Sequence, residues 1–75
     1  MDDLYEIISE VFEIDVKDIN GELGPDDIET WDSLGQLRLI TSLESYYKIT
    51  FEIAEIFEIF KVGDIIRLLK NRKLV

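Results

Sequence analysis

Apolar residues fall at helical intervals along most of this chain, and no segment supplies a pair of strands. Leu4, Ile7, Ile8, Val11 and Phe12 follow the i, i+3, i+4, i+7, i+8 spacing of one helical face. Leu34, Leu37, Ile40 (or Thr41), Leu43 and Tyr47 form a second stripe, which Leu39 and Tyr46 widen. Val62, Ile65, Ile66 and Leu69 mark a third. The run FEIAEIFEIF, residues 51–60, fits a strand and a helix equally well. An unpaired strand is unstable in water, so a short helix is expected there. The chain therefore reads as all-α: a small four-helix bundle with a short third helix. The first helix is expected near residues 3–13, the second from Ser33, the last near 62–71. Seventy-five residues suit one domain over 1–75, and without cysteine its core must come from packing alone.

Residues 14–32 form a long connection between the first two helices. Asn20-Gly21, Gly24-Pro25 and Asp26-Asp27 are turn and break signals. Connections of this length in a small domain are often functional. Val16, Ile19, Leu23 and Ile28 recur along it, so it should lie on the core, with a short helical turn at VKDI. Asp18, Asn20 and Gly21 match three positions of a calcium loop. Its first position would be Val16, which cannot ligate, and its last would be Asp27 in place of a bidentate Glu. Asn-Gly turn chemistry explains the residues better, and no metal site is expected.

Charge is distributed unevenly. The net charge is −9, and twelve of the seventeen acids lie in residues 1–32 with a single base, Lys17. Such a half repels nucleic acid and anionic lipid and favours a partner with a basic face. The C-terminal bases Arg67, Lys70, Arg72 and Lys73 complement a helix dipole and need no nucleic acid to explain them. The acidic start MDDLYEII is unlike a secretory leader, and no apolar run nears the ~20 residues that span a bilayer. A cytoplasmic, monomeric protein is expected. Without histidine or cysteine, most nucleophile–base pairs and zinc sites are excluded, so no catalytic residue is assigned.

Ser33 attracts notice because it stands between Asp32 and an apolar helical run. Ser33-Leu34-Gly35-Gln36 has the form of a capping box, which accounts for the serine as a helix start. It does not account for Gly35, a poor helix former in the first turn. The glycine is expected to leave the surface beside Ser33 open. An exposed hydroxyl at a helix N-terminus lies where backbone N–H groups stabilise a phosphate.

WDSLGQLRLITSLESYYKI resembles the acyl carrier protein signature, with Asp-Ser-Leu opening the second helix. KVGDIIRLLK resembles that family's fourth helix, and the resemblance extends over essentially the whole chain. It implies that Ser33 carries a 4′-phosphopantetheine arm, taken from coenzyme A by a phosphopantetheinyl transferase. The arm's thiol would hold an acyl or aminoacyl group as a thioester. It also implies that Asp32, Leu34 and Leu37 frame the arm, and that partners dock on the second helix and around Arg38, Thr41, Ile56 and Phe57. Those partners would be a loading ligase or transferase and a downstream synthase or acyltransferase, in fatty acid or polyketide biosynthesis or a related specialised pathway. TWDS lacks the glycine-rich lead-in commoner in aminoacyl carriers, which favours an acyl cargo. The rival reading is a protein-binding helical module in which Ser33 is only a cap. The chain departs from the family pattern in several places: Arg38 stands where many carriers have an acid, residues 33–48 hold one acid, Glu44, the acidity lies upstream at Asp26, Asp27, Glu29 and Asp32, and the third helix, with Ile53, Ile56, Phe57 and Phe60, is more apolar. Lys61 also stands where a threonine cap is common. Most of Trp31, Tyr46, Tyr47, Phe51, Phe57 and Phe60 are expected in the core, with one or two of Ile56, Phe57 and Phe60 exposed.

Overall fold

In the computed structural model, which describes residues 2–75, helix α1 covers Asp2–Phe12, α2 Ser33–Tyr47, α3 Ile53–Ile56 and α4 Val62–Asn71. A 3-10 turn over Val16–Asp18 is the short turn expected at VKDI, and Asp15 opens it by accepting the Lys17 N–H at 3.2 Å. No strand forms among the described residues. The run at 51–60 yields only one α-helical turn. Beyond Ile56 the bonds tighten to three-residue spacing: the Glu58 N–H reaches the Glu55 carbonyl at 3.0 Å and the Ile59 N–H the Ile56 carbonyl at 3.2 Å.

Three helices build the core. Leu4, Ile8 and Phe12 of α1 meet Leu39 and Leu43 of α2 and Val62, Ile65 and Leu69 of α4, all fully buried. No residue of α3 is buried, although Phe51 and Ile59 on either side of it are. The long connection lies on this core as expected, through Ile19, Ile28 and Trp31, with Leu23 half-buried and Val16 42% exposed. Every buried side chain among the described residues is apolar. None of these helices is long and apolar enough to cross a membrane.

The inward face of α2 differs from the expected stripe. Gly35, Leu39, Ile40 and Leu43 are buried, while Leu34 and Leu37 are more than half exposed. Leucines surround this helix, so spacing alone allows two faces. Gly35 selects one of them. A Cβ at Gly35 would overlap the Thr30 carbonyl oxygen and press on the Phe12 ring. The glycine therefore serves close approach of the incoming loop and does not open the surface beside Ser33.

Helix termini are completed by tertiary and left-handed contacts. Glu13, Lys48 and Lys73 adopt φ of 57°, 57° and 61°, each just past a helix. The next N–H then bonds back five residues: Ile14 to Ser9 at 3.1 Å, Ile49 to Glu44 at 3.2 Å, Leu74 to Leu69 at 3.0 Å. At the start of α4, Lys61 supplies no side-chain cap. The loop carbonyls of Leu23 and Gly21 accept the Val62 and Gly63 N–H groups instead, both at 2.8 Å. The connection is thereby pinned to α4 as well as to α1 and α2.

Candidate functional site

The start of α2 is capped by Asp32, not by Ser33. The Asp32 carboxylate accepts the Gly35 N–H at 2.8 Å, and its carbonyl accepts the Gln36 N–H at 2.8 Å. Ser33 is thus the first residue inside the helix, and the capping box read from S-x-x-Q does not form. Asp competes well for this position because its carboxylate reaches the second and third N–H groups and interacts with the positive end of the helix dipole. Ser33 is exposed, and its hydroxyl makes no hydrogen bond to any described residue. An oxygen without a structural partner, on the outside of a helix N-terminus, is free to react.

Beside Ser33 runs an open groove of about 500 Å³ between α2 and α3. Its walls are Trp31, Leu37, Ile56, Phe57, Ile59 and Phe60, with Ser33 and Asp32 at its mouth. Phe57 and Phe60 are 74% and 72% exposed while Ile56 is half-buried, within the one or two expected, and neighbouring Ile53 is 72% exposed as well. Of the aromatics expected in the core, Trp31 and Phe51 are buried, Tyr47 is half-buried and Tyr46 is exposed.

One polar side chain lies inside this apolar groove. Gln36 is one turn along α2 from Ser33, on the same face. Its Oε1 accepts the Trp31 Nε1–H at 2.6 Å and its Nε2 donates to the Ile56 carbonyl at 3.4 Å. Trp31 itself stacks on Phe12, with ring centroids 4.8 Å apart. Sequence reading assigned Gln36 to a capping box and Trp31 to the core. The signal for the groove was the i, i+3 relation of Gln36 to Ser33.

The expected site residues divide between two places. Leu37, Ile56 and Phe57 line the groove with Ser33 and Asp32. Arg38 and Thr41 line a second depression, about 390 Å³, between α1 and α2, which Leu37 also borders. Leu34 is exposed and lines neither. Asp26 and Glu29 are exposed and make no hydrogen bond or ion pair among the described residues, whereas Asp27 accepts the Gly24 N–H at 3.1 Å. The one acid of α2, Glu44, is turned to internal use, accepting the Phe51 N–H at 2.8 Å.

On its other side α3 is anchored to the end of α4. The Arg72 guanidinium grips Glu55 with two bonds of 2.8 and 2.7 Å and lies 5.0 Å from the Phe51 ring centroid. Arg72, and secondarily the Glu52 N–H at 2.9 Å, lower the Glu55 pKa to about 2.

The model of the phosphopantetheine attachment site family matches residues 2–69. Among solved structures, the holo acyl carrier protein of Geobacter metallireducens is 39% identical, with a TM-score of 0.85 over 97% of this chain and 87% of that one. A Mycobacterium tuberculosis protein provisionally described as an acyl carrier protein has a TM-score of 0.84 over 95% of each chain. At 24% identity it speaks for the fold alone. No protein of curated function matches in sequence.

Proposed function

The chain belongs to the phosphopantetheine attachment site family, and from that premise we propose that Ser33 is the residue to which its 4′-phosphopantetheine group is joined. The family's members carry acyl groups and are generally not catalysts. The observation that supports Ser33 is its free, exposed hydroxyl at the N-terminus of α2, with Asp32 taking over the capping role. When bound, the group supplies the thiol that a cysteine-free chain lacks, on which an acyl cargo is held as a thioester.

The residues present fit such a group. Ser33 Oγ would attack the phosphorus of coenzyme A bound to a separate transferase. A P–O bond to the serine forms, the bond to the nucleotide portion breaks, and the hydroxyl proton passes to the transferase. The first N–H groups of α2 and the positive end of its dipole stabilise the phosphodiester. Phe57, Phe60 and Ile56 offer apolar surface beside Ser33 to the attached chain. Asp32 keeps the first turn formed whether or not Ser33 is modified.

The chain itself is read as non-catalytic, a single carrier domain that delivers tethered cargo to loading and downstream acyl-transfer enzymes in the cytoplasm. Tethering raises the cargo's effective concentration at each of them. The rival reading, a protein-binding helical module in which Ser33 is only a cap, is not favoured, since Asp32 takes the capping position.

Incubation with coenzyme A and a permissive phosphopantetheinyl transferase tests the assignment. Intact mass should rise by one phosphopantetheine in the natural chain and stay unchanged in Ser33→Ala. Loss of modification in Ser33→Ala with helicity retained supports the site. A mass gain in that variant would place the group on another residue.

A further inference from the structure

Gln36 interrupts an otherwise apolar groove, and both of its polar ends are used. Its carbonyl oxygen accepts the indole N–H of Trp31, which is 3% exposed and has no other partner among the described residues. Its amide crosses the groove and donates to the Ile56 carbonyl at the end of α3. α3 needs such a fastening. It is four residues long, none of them buried, and Ile53 within it and Phe57 just after it stand largely in solvent. An isolated turn of this length does not hold itself together. Its attachments are Arg72 to Glu55 on the α4 side and Gln36 to Ile56 on the α2 side. The first is short and bidentate, the second long and single.

We propose that Gln36 is a positioning residue that clasps α3 to α2, so that cargo passes between the two helices only when the Gln36–Ile56 bond opens. The inference rests on the carrier reading for its cargo, but the clasp itself belongs to the unmodified chain. The two attachments differ in strength, so the α2 side is the one that releases while Arg72 keeps the α4 side in place. Trp31 holds the Gln36 side chain in the donating orientation. It fixes the amide, since only the oxygen can accept from the indole.

The residues allow the clasp to be cut without disturbing the core. In Gln36→Glu the carboxylate still accepts from Trp31 but faces the Ile56 carbonyl with an oxygen in place of a donor. Hydrogen exchange of the full, unmodified chain reads the result. The amides of Phe57, Glu58 and Ile59 should exchange about five- to tenfold faster in Gln36→Glu, as expected for loss of one hydrogen bond. Those of α1 and α4 should be unchanged. Gln36→Leu should show the same loosening plus a shift in Trp31 emission. Unchanged exchange at 57–59 in Gln36→Glu would overturn the clasp. A uniform rise through α1 and α4 would also overturn it, because Gln36 would then merely support the core. In the holo protein, an octanoyl group should loosen α3 of the natural chain and have less effect in Gln36→Glu, whose clasp is already open. Equal responses would overturn the role in cargo entry. Absence of any mass gain on loading would refute the carrier reading separately and leave the exchange result standing.

Discussion

Gly35 shows how much one residue decides here. The loop that delivers Ser33 crosses α2 so closely that the Thr30 carbonyl oxygen occupies the space of a β-carbon at this position. Gly35→Ala would have to displace backbone, not a side chain. We expect a loss of about 2–3 kcal/mol, the range of overpacked interiors, measured by urea denaturation. Retention of natural stability would show that the loop can shift at little cost. Glu55 acts by charge. Its pKa in the folded chain, about 2, lies below the ordinary 4.5, so the Arg72 pair favours the fold when the carboxylate is ionised. That contribution is complete above pH 4.5 and is lost as pH falls from there through about 2. The shift alone corresponds to at most about 3 kcal/mol; for a pair a quarter exposed, about 1–2 kcal/mol is expected after solvent screening. Stability of Arg72→Ala should therefore differ most from the natural chain near neutral pH and converge toward it in acid. A difference independent of pH would assign Arg72's effect to its packing on Phe51 alone.

At the level of elements, the helix ends are the least economical parts of the chain. Glu13 holds a left-handed φ of 57° without being glycine, and it places a negative charge at the C-terminus of α1, where the dipole is also negative. Glu13→Gly relieves both, and thermal unfolding should show a gain of about 0.5–1 kcal/mol. No gain would mean that the side chain has a compensating contact. Helical spacing located α1, α2 and α4 from sequence because each buries apolar residues three and four apart. The face of α2 was not legible, since leucines lie all around it and only the Thr30–Gly35 approach selects the buried side. α3 was legible as a helix but not in its length. Its run of isoleucine and phenylalanine has no buried face to commit to.

At the scale of the whole molecule, the charge pattern bears on which enzymes the carrier can meet. α2 displays Arg38 and no free carboxylate, because Glu44 is engaged by the Phe51 N–H. Asp26 and Glu29, exposed and without a hydrogen bond or ion pair among the described residues, lie on the loop that leads to Ser33. An enzyme that grips an acidic second helix would face a like charge at Arg38. A housekeeping malonyl transferase should load the holo protein at least about tenfold more slowly than a carrier with an acidic second helix, the size of one misplaced charge pair. Arg38→Glu should recover part of the rate. Loading as fast as such a carrier would show that this face is not what the enzyme reads.

Sequence by itself determined that the chain is helical, where its helices lie, and that Asp32-Ser33-Leu34 opens the second of them. Those properties follow from local spacing and from residues adjacent along the chain. Tertiary structure decided what each of those residues does. The capping box read from the sequence puts the cap at Ser33; in the folded chain Asp32 takes it, its carboxylate accepting the Gly35 N–H, and the serine hydroxyl has no hydrogen bond among the described residues. The pairing of Gln36 with Trp31 and Ile56, and of Glu55 with Arg72, joins residues 5, 20 and 17 positions apart. Contacts across helices depend on how the core rotates each helix, and periodicity does not specify that rotation.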